Sequence, residues 1–221
     1  MAQDLAASEH SGGVVWETAL FLLRFLERQV VPSLPLGCRV VELGAGCGLL
    51  GLGLHRLGCQ VVLTDQPVAL PNLRRNAAQE EVQVLLLTWG EDVTPLLRQG
   101  PYHLVVASDV VFATRLVRPL LETIHALAQG SAWLCVQKRD PDAHALFMAT
   151  APELFEVEEC SFEGLEGLEA ACKLDCLLLH LTPRRKGPAQ GKSVGAVRLS
   201  DCLGGQSLAL REWRWGSVDV W

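Results

Sequence analysis

The sequence predicts an α/β sandwich, with a seven-stranded, mostly parallel sheet, a reversed edge strand and helices on both faces. Three observations lead there. Short, nearly all-apolar runs rich in β-branched residues alternate with helical segments. A glycine-rich turn, Gly44-Ala45-Gly46-Cys47-Gly48, separates the first such run from the helix that follows. The 221 residues are 49% hydrophobic and 20% charged, which excludes global disorder.

The elements follow in order. Residues 1–13 are small, polar and glycine-containing, and are read as a flexible N-terminus. Over 14–31, Trp16, Ala19, Leu20, Leu23, Leu26 and Val30 recur at helical spacing, broken by Arg24, Glu27 and Arg28. Pro32 and Pro35 then force a turn. Strands are predicted over 39–43, 60–64, 82–87, 102–107 and 132–137. Helices are predicted over 49–57, 68–78, 116–128 and 143–149. Gly58 stops the first of these, and Gly130 is read as closing the third. Strands spaced by helices imply right-handed βαβ units. Residues 155–162 and 174–181 form the sixth and seventh strands, read as an antiparallel pair at the sheet edge.

Charge divides the chain. Residues 1–183 carry 12 Lys/Arg against 22 Asp/Glu, and residues 184–221 carry 7 against 3. A folded domain is therefore expected over 14–183. Residues 184–221 are read as a basic linker and a disordered tail containing Trp213, Trp215 and Trp221. The net charge of -6 argues against a nucleic-acid coat protein. None of the eight cysteines stands in a Cys-x-x-Cys pair, which disfavours a disulfide scaffold and a zinc site alike. His55, His103, His125, His144 and His180 are scattered, so no metal is predicted. Residues 1–10 lack the features of a secretory signal, and no apolar run is long enough for a membrane helix. The expected compartment is reduced and intracellular: the cytoplasm, with the nucleus second.

The glycine turn carries the chemistry. Gly44 allows a tight turn, and Gly46 lets a ligand approach the backbone. N–H groups at the start of the next helix favour polar or anionic groups. Asp65 ends the second strand, 17 residues beyond Gly48, where a carboxylate can accept both hydroxyls of a ribose. A bound nucleoside outweighs a purely structural turn. A dinucleotide fingerprint would place its third glycine at Leu49, which disfavours NAD.

Beyond the loop, the motif order becomes specific. Glu42-Leu43-Gly44-x-Gly46-x-Gly48 resembles motif I of the seven-β-strand S-adenosylmethionine-dependent methyltransferases. Val14-Val15-Trp16-Glu17-Thr18-Ala19 precedes it by one helix. Thr64-Asp65 leads into the helix of Asn72 and Asn76, and Leu87-Thr88-Trp89-Gly90-Glu91-Asp92 ends the third strand. Ser108-Asp109-Val110-Val111-Phe112 ends the fourth. The order is similar to methyltransferase family 16, which contains protein-lysine methyltransferases, with the valosin-containing-protein lysine methyltransferase group among the closest in pattern. The resemblance covers residues 12–182. It implies a Rossmann-like class I methyltransferase sandwich and S-adenosylmethionine as cofactor. It matches Trp16, Gly44, Ala45, Gly46, Asp65, Trp89 and Ser108 to cofactor-binding positions. It also implies a longer N-terminal part than the 15 residues that precede Trp16 here.

Asp109 sits at the carboxyl end of the fourth strand, where doubly wound sheets bind ligands. By the resemblance Asp109 and Phe112 are the catalytic pair, an acidic residue and an aromatic separated by two positions. Phe112 stands where many members have tyrosine, so the aromatic wall remains and a hydroxyl is missing. A lysine amine has a reference pKa of about 10.4 and must lose a proton before it attacks. Asp109 can accept hydrogen bonds from that amine and orient it, while Phe112 lines an apolar channel. The competing reading has Asp109 capping the next helix. Lys138, Arg139 and Asp140, after the fifth strand, are equally a substrate contact or a solvated loop. The tetrapeptide is not the Asn-Pro-Pro-aromatic type found in methyltransferases of exocyclic base amines.

The leading expectation is a protein-lysine N-methyltransferase using S-adenosylmethionine. The resemblance implies a protein substrate such as a chaperone, ATPase or translation factor, no nucleic acid, no membrane, and a monomer. The alternatives are a weak or inactive methyltransferase-fold binding module, a small-molecule methyltransferase, or an NAD enzyme.

Overall fold

The computed structural model describes residues 13–185. The expectations for residues 1–12 and 186–221, including the Trp-containing tail, lie outside the described residues. Among the described residues seven strands are present: β1 (Arg39–Leu43), β2 (Gln60–Asp65), β3 (Gln83–Leu86), β4 (Tyr102–Ser108), β5 (Ala128–Gln137), β6 (Phe155–Cys160) and β7 (Cys176–Pro183). They form one sheet in the order β3-β2-β1-β4-β5-β7-β6. The first five pair in parallel, and β7 runs antiparallel to both β5 and β6. The predicted fold class is the observed one, with the reversed strand one place in from β6 at the edge.

Period-two alternation sends successive side chains to opposite faces. Val40 and Leu104 pack on one face with α1 (Glu17–Gln29), α2 (Leu49–Arg56) and α3 (Leu70–Ala77). Val41, Leu43 and Val105 pack on the other with α5 (Thr114–Leu127) and α6 (Pro141–Thr150). Leu22 and Leu26 of α1 are fully buried. Phe25 of the same helix meets Trp133 of β5 at a centroid distance of 5.0 Å. Two further helices, α4 (Thr94–Leu97) and α7 (Glu169–Lys173), were not predicted. Four or five residues hold too little of a 3.6-residue period to show it.

Several boundaries differ from the sequence reading by one to four residues, and three of these differences matter. The first helix begins at Glu17, so Trp16 is its N-cap, in extended backbone, rather than a helical residue. Gly130 does not close a helix. α5 stops at Leu127, and Gly130 lies inside β5. A Cβ there would sit 2.5 Å from the His103 carbonyl oxygen, so this glycine allows β4 and β5 to approach. The last strand begins at Cys176, because Leu174 caps α7 and Asp175 turns with φ +51°. Arg184 and Arg185 bond back to the domain: Arg184 Nε donates to Phe155 O at 2.8 Å, and an Arg185 guanidinium nitrogen donates to Ala128 O at 2.8 Å.

The order of the sheet also places the site. Strand order reverses between β1 and β4, because the helices after β1 and β2 cover one face and the helix after β4 covers the other. A crevice opens at that switch point, outside the carboxyl ends of the strands.

Candidate active site

The glycine turn leaves the end of β1. Gly44, Gly46 and Gly48 all have positive φ, at +65°, +54° and +85°. A Cβ at Gly44 would lie 3.0 Å from the Trp89 ring and 3.3 Å from Val110 Cγ1. The turn is therefore kept bare and close to an aromatic side chain. Ala45 is buried, and its N–H donates to Thr64 O at 3.0 Å, which ties the turn to β2.

Asp65 ends β2 and faces this turn. Its Oδ2 accepts the Gly46 N–H at 2.7 Å, and its Oδ1 accepts the Gln66 N–H at 2.7 Å. A carboxylate has about four acceptor positions and can hold backbone N–H groups and hydroxyl donors together. Asn76 Nδ2 holds the far side of the turn through Cys47 O at 3.0 Å. The bare glycine backbone and the adjacent carboxylate fit the nucleoside and amino-acid ends of S-adenosylmethionine.

Glu42 belongs to the glycine motif, and the motif alone gives it no role. It is 1% exposed, and its Oε2 accepts the Gly51 N–H at 2.8 Å. Burial pushes its carboxyl up to about 8, with the Gly51 bond opposing and the nearby Asp65 charge adding to the rise. The signal in the sequence is a glutamate between the apolar Val41 and Leu43 of a strand.

Asp109 follows β4 with φ +55°, an uncommon conformation outside glycine. Its backbone N–H donates to Cys135 O at 2.9 Å. Its side chain is 5% exposed, and Oδ2 accepts from Arg139 Nε at 2.7 Å. Burial raises its carboxyl above the usual range, while the Arg139 bond and charge pull the other way. It does not cap α5, whose N-cap is Ala113 with no side-chain bond. Ser108, the last residue of β4, is half-buried beside it.

The aromatic residues frame the same end of the sheet. Trp89 is half-buried and lies 6.4 Å from the Phe112 ring, centroid to centroid. Phe112 is exposed. Trp16 stacks instead on Arg139, whose Cζ lies 4.2 Å from the Trp16 ring centroid. The Lys138-Arg139-Asp140 run thus divides. Arg139 joins Asp109 and Trp16, whereas Asp140 caps α6 by accepting from Asp142 N at 2.9 Å and Ala143 N at 3.1 Å. The clue to Arg139 was its place just after a strand's carboxyl end. Among the described residues, no cluster of three or more His, Cys, Asp or Glu is arranged to hold a metal ion. No helix of the described residues is long and apolar enough to cross a membrane.

Comparison with known proteins bears on the family and the fold. A family model described as lysine methyltransferase matches residues 2–153. The chain is 35% identical over 159 residues to the zebrafish (Danio rerio) protein N-lysine methyltransferase METTL21A, covering 68% of this chain and 72% of that one. It is 30% identical over 169 residues to the EEF1A lysine methyltransferase 3 of Xenopus tropicalis, covering 70% of this chain and 74% of that one. Among solved structures, a TehB-like SAM-dependent methyltransferase from Corynebacterium glutamicum aligns with a TM-score of 0.53 at 18% identity, over 81% of this chain and 92% of that one. The N-methyltransferase NodS of Bradyrhizobium japonicum, in complex with S-adenosyl-l-homocysteine, gives 0.51 at 14% identity, over 76% and 86%. These two share the fold.

Proposed function

The chain belongs to the lysine methyltransferase family, and from that premise we infer which residues hold the cofactor and which receive the lysine. It is an S-adenosylmethionine-dependent protein-lysine methyltransferase by family. Gly44, Ala45 and Gly46 pass beneath the amino-acid end of the cofactor, and Asp65 accepts the ribose hydroxyls. Trp89 walls the adenine, while Trp16 and Ser108 border the pocket. Asp109 and Phe112 receive the acceptor lysine. The observation that carries the reading is convergence: the Asp65 carboxylate bonds the glycine turn at 2.7 Å, at the same sheet end where Asp109 and Trp89 lie.

When bound, S-adenosylmethionine supplies a methyl group on a sulfonium, open to in-line displacement by an amine. The protein's contribution is positioning. Asp109 accepts a hydrogen bond from the lysine nitrogen and aims its lone pair. Burial makes this carboxyl a better proton acceptor than an exposed aspartate, which helps it shelter the proton the ammonium must lose. Phe112 offers its face to the entering cation and excludes water from the stem.

The acceptor proposed is a lysine on a chaperone, ATPase or translation factor, met by a monomer in the cytoplasm or nucleus. A translation factor has the support of the Xenopus relative's name. Likeness to the valosin-containing-protein lysine methyltransferase group rests on motif order. We propose that the methyltransferase domain spans residues 14–183, with Arg184 and Arg185 bonded to its edge.

The test is transfer of labelled methyl from S-adenosylmethionine into the proteins of a cell extract. A discrete labelled protein, absent with the Asp109→Asn variant, supports the reading. Label that persists with Asp109→Asn, or an absence of label from folded protein that binds cofactor, counts against it.

A further inference from the structure

Arg139 already holds the carboxylate that an entering lysine would seek. Its Nε donates to Asp109 Oδ2 at 2.7 Å, and its Cζ rests 4.2 Å from the centroid of the Trp16 ring at the pocket border. A buried carboxylate is a natural receptor for an alkylammonium group. The geometry points to Arg139 as a displaceable gate: its guanidinium stands in the place of the substrate ammonium, and the lysine reaches Asp109 by exchanging with it. This inference rests on the reading of Asp109 as the lysine-orienting group.

Two observations favour exchange over a permanent brace. The Arg139 side chain is 34% exposed while that of Asp109 is 5% exposed. The guanidinium therefore has a path into water, and the carboxylate does not. An open cavity of about 590 Å³ adjoins it, lined by Gln137, Lys138, Arg139, Leu174 and Asp175. The displaced side chain has room there, with the Asp175 carboxylate along the same wall. Until it is displaced, the guanidinium pairs with the Asp109 carboxylate at 2.7 Å. Entry of any lysine then requires breaking an existing charge-assisted bond, so weakly bound cations are excluded.

The experiment uses the full chain with n-butylammonium chloride as the probe, sodium chloride at equal ionic strength as the control. The Arg139 Nε–H signal is followed by nitrogen-15 NMR and assigned by its loss in Arg139→Gln. The gate predicts that n-butylammonium, and not sodium, speeds exchange of this N–H with water about tenfold or more. It also predicts that Arg139→Gln binds n-butylammonium about fivefold tighter, read by saturation transfer. An N–H that stays protected while the probe binds, or weaker binding by Arg139→Gln, overturns the gate. Probe binding that is unchanged in Asp109→Asn strikes the Asp109 reading instead, so the two failures are distinct.

Discussion

Asp65 Oδ2 accepts the Gly46 N–H at 2.7 Å, so the carboxylate that ends β2 shapes the glycine turn that ends β1. One side chain both sets the turn and is assigned the ribose. Asp65→Ala is expected to weaken S-adenosylhomocysteine binding by about 10- to 100-fold in calorimetry, the scale of one or two charged hydrogen bonds. Thermal stability should fall as well, because the Gly46 N–H loses its partner. Unchanged affinity would remove Asp65 from the cofactor site.

Asp109→Asn isolates the chemistry. Asparagine tolerates the φ of +55° seen at Asp109, so the backbone should stay in place. Methyl transfer is expected to fall by about a hundredfold or more while cofactor binding is retained. Equal turnover by the variant would show that the carboxylate charge is not used.

Glu42 makes stability depend on pH. Its folded carboxyl is raised from 4.5 to about 8, so the folded state keeps a proton that the unfolded chain has lost. Stability from this group is full below pH 4.5 and is lost as pH rises through about 8. At ~1.4 kcal/mol per pKa unit, the total is on the order of a few kcal/mol. Glu42→Gln copies the neutral form. Its melting temperature should exceed that of the wild type at pH 9 and converge with it at pH 5; parallel curves would refute a protonated Glu42.

Gly130→Ala tests the close approach of β4 and β5. The new Cβ would meet the His103 carbonyl oxygen at 2.5 Å, and a backbone atom cannot swing aside. A loss of about 1–3 kcal/mol is expected in denaturant unfolding. Gly164→Ala is the comparison, since a Cβ there meets nothing within 4 Å and only its φ of +75° is strained. Equal losses from the two variants would mean that contact with His103 is not what requires glycine.

Much of this protein is legible along the chain. Apolar β-branched runs such as 39–43 and 102–107 need no partner to declare themselves, because burial on both faces demands them. The Gly44–Gly48 turn, Asp65 and Asp109 all fall at strand ends, and strand ends are local features. A parallel sheet brings such ends together, so the outline of a site could be drawn before its geometry was known. The short helices over 94–97 and 169–173 hid because their period is too brief to detect.

Tertiary structure decided whatever depends on residues distant in sequence. Gly130 reads as a helix stop until His103 is placed against it, 2.5 Å from where its Cβ would be. Glu42 reads as one member of a motif until burial at 1% exposure removes its solvation and raises its carboxyl. Arg139 reads as a loop cation until β4 and β5 pair and bring it to Asp109, 30 positions away. Hydrophobic period and turn chemistry are written locally, and so they determine elements and their order. Desolvation, close approach and ion pairing arise only when separate elements meet, which is why the electrostatics of this site became visible only in the folded molecule.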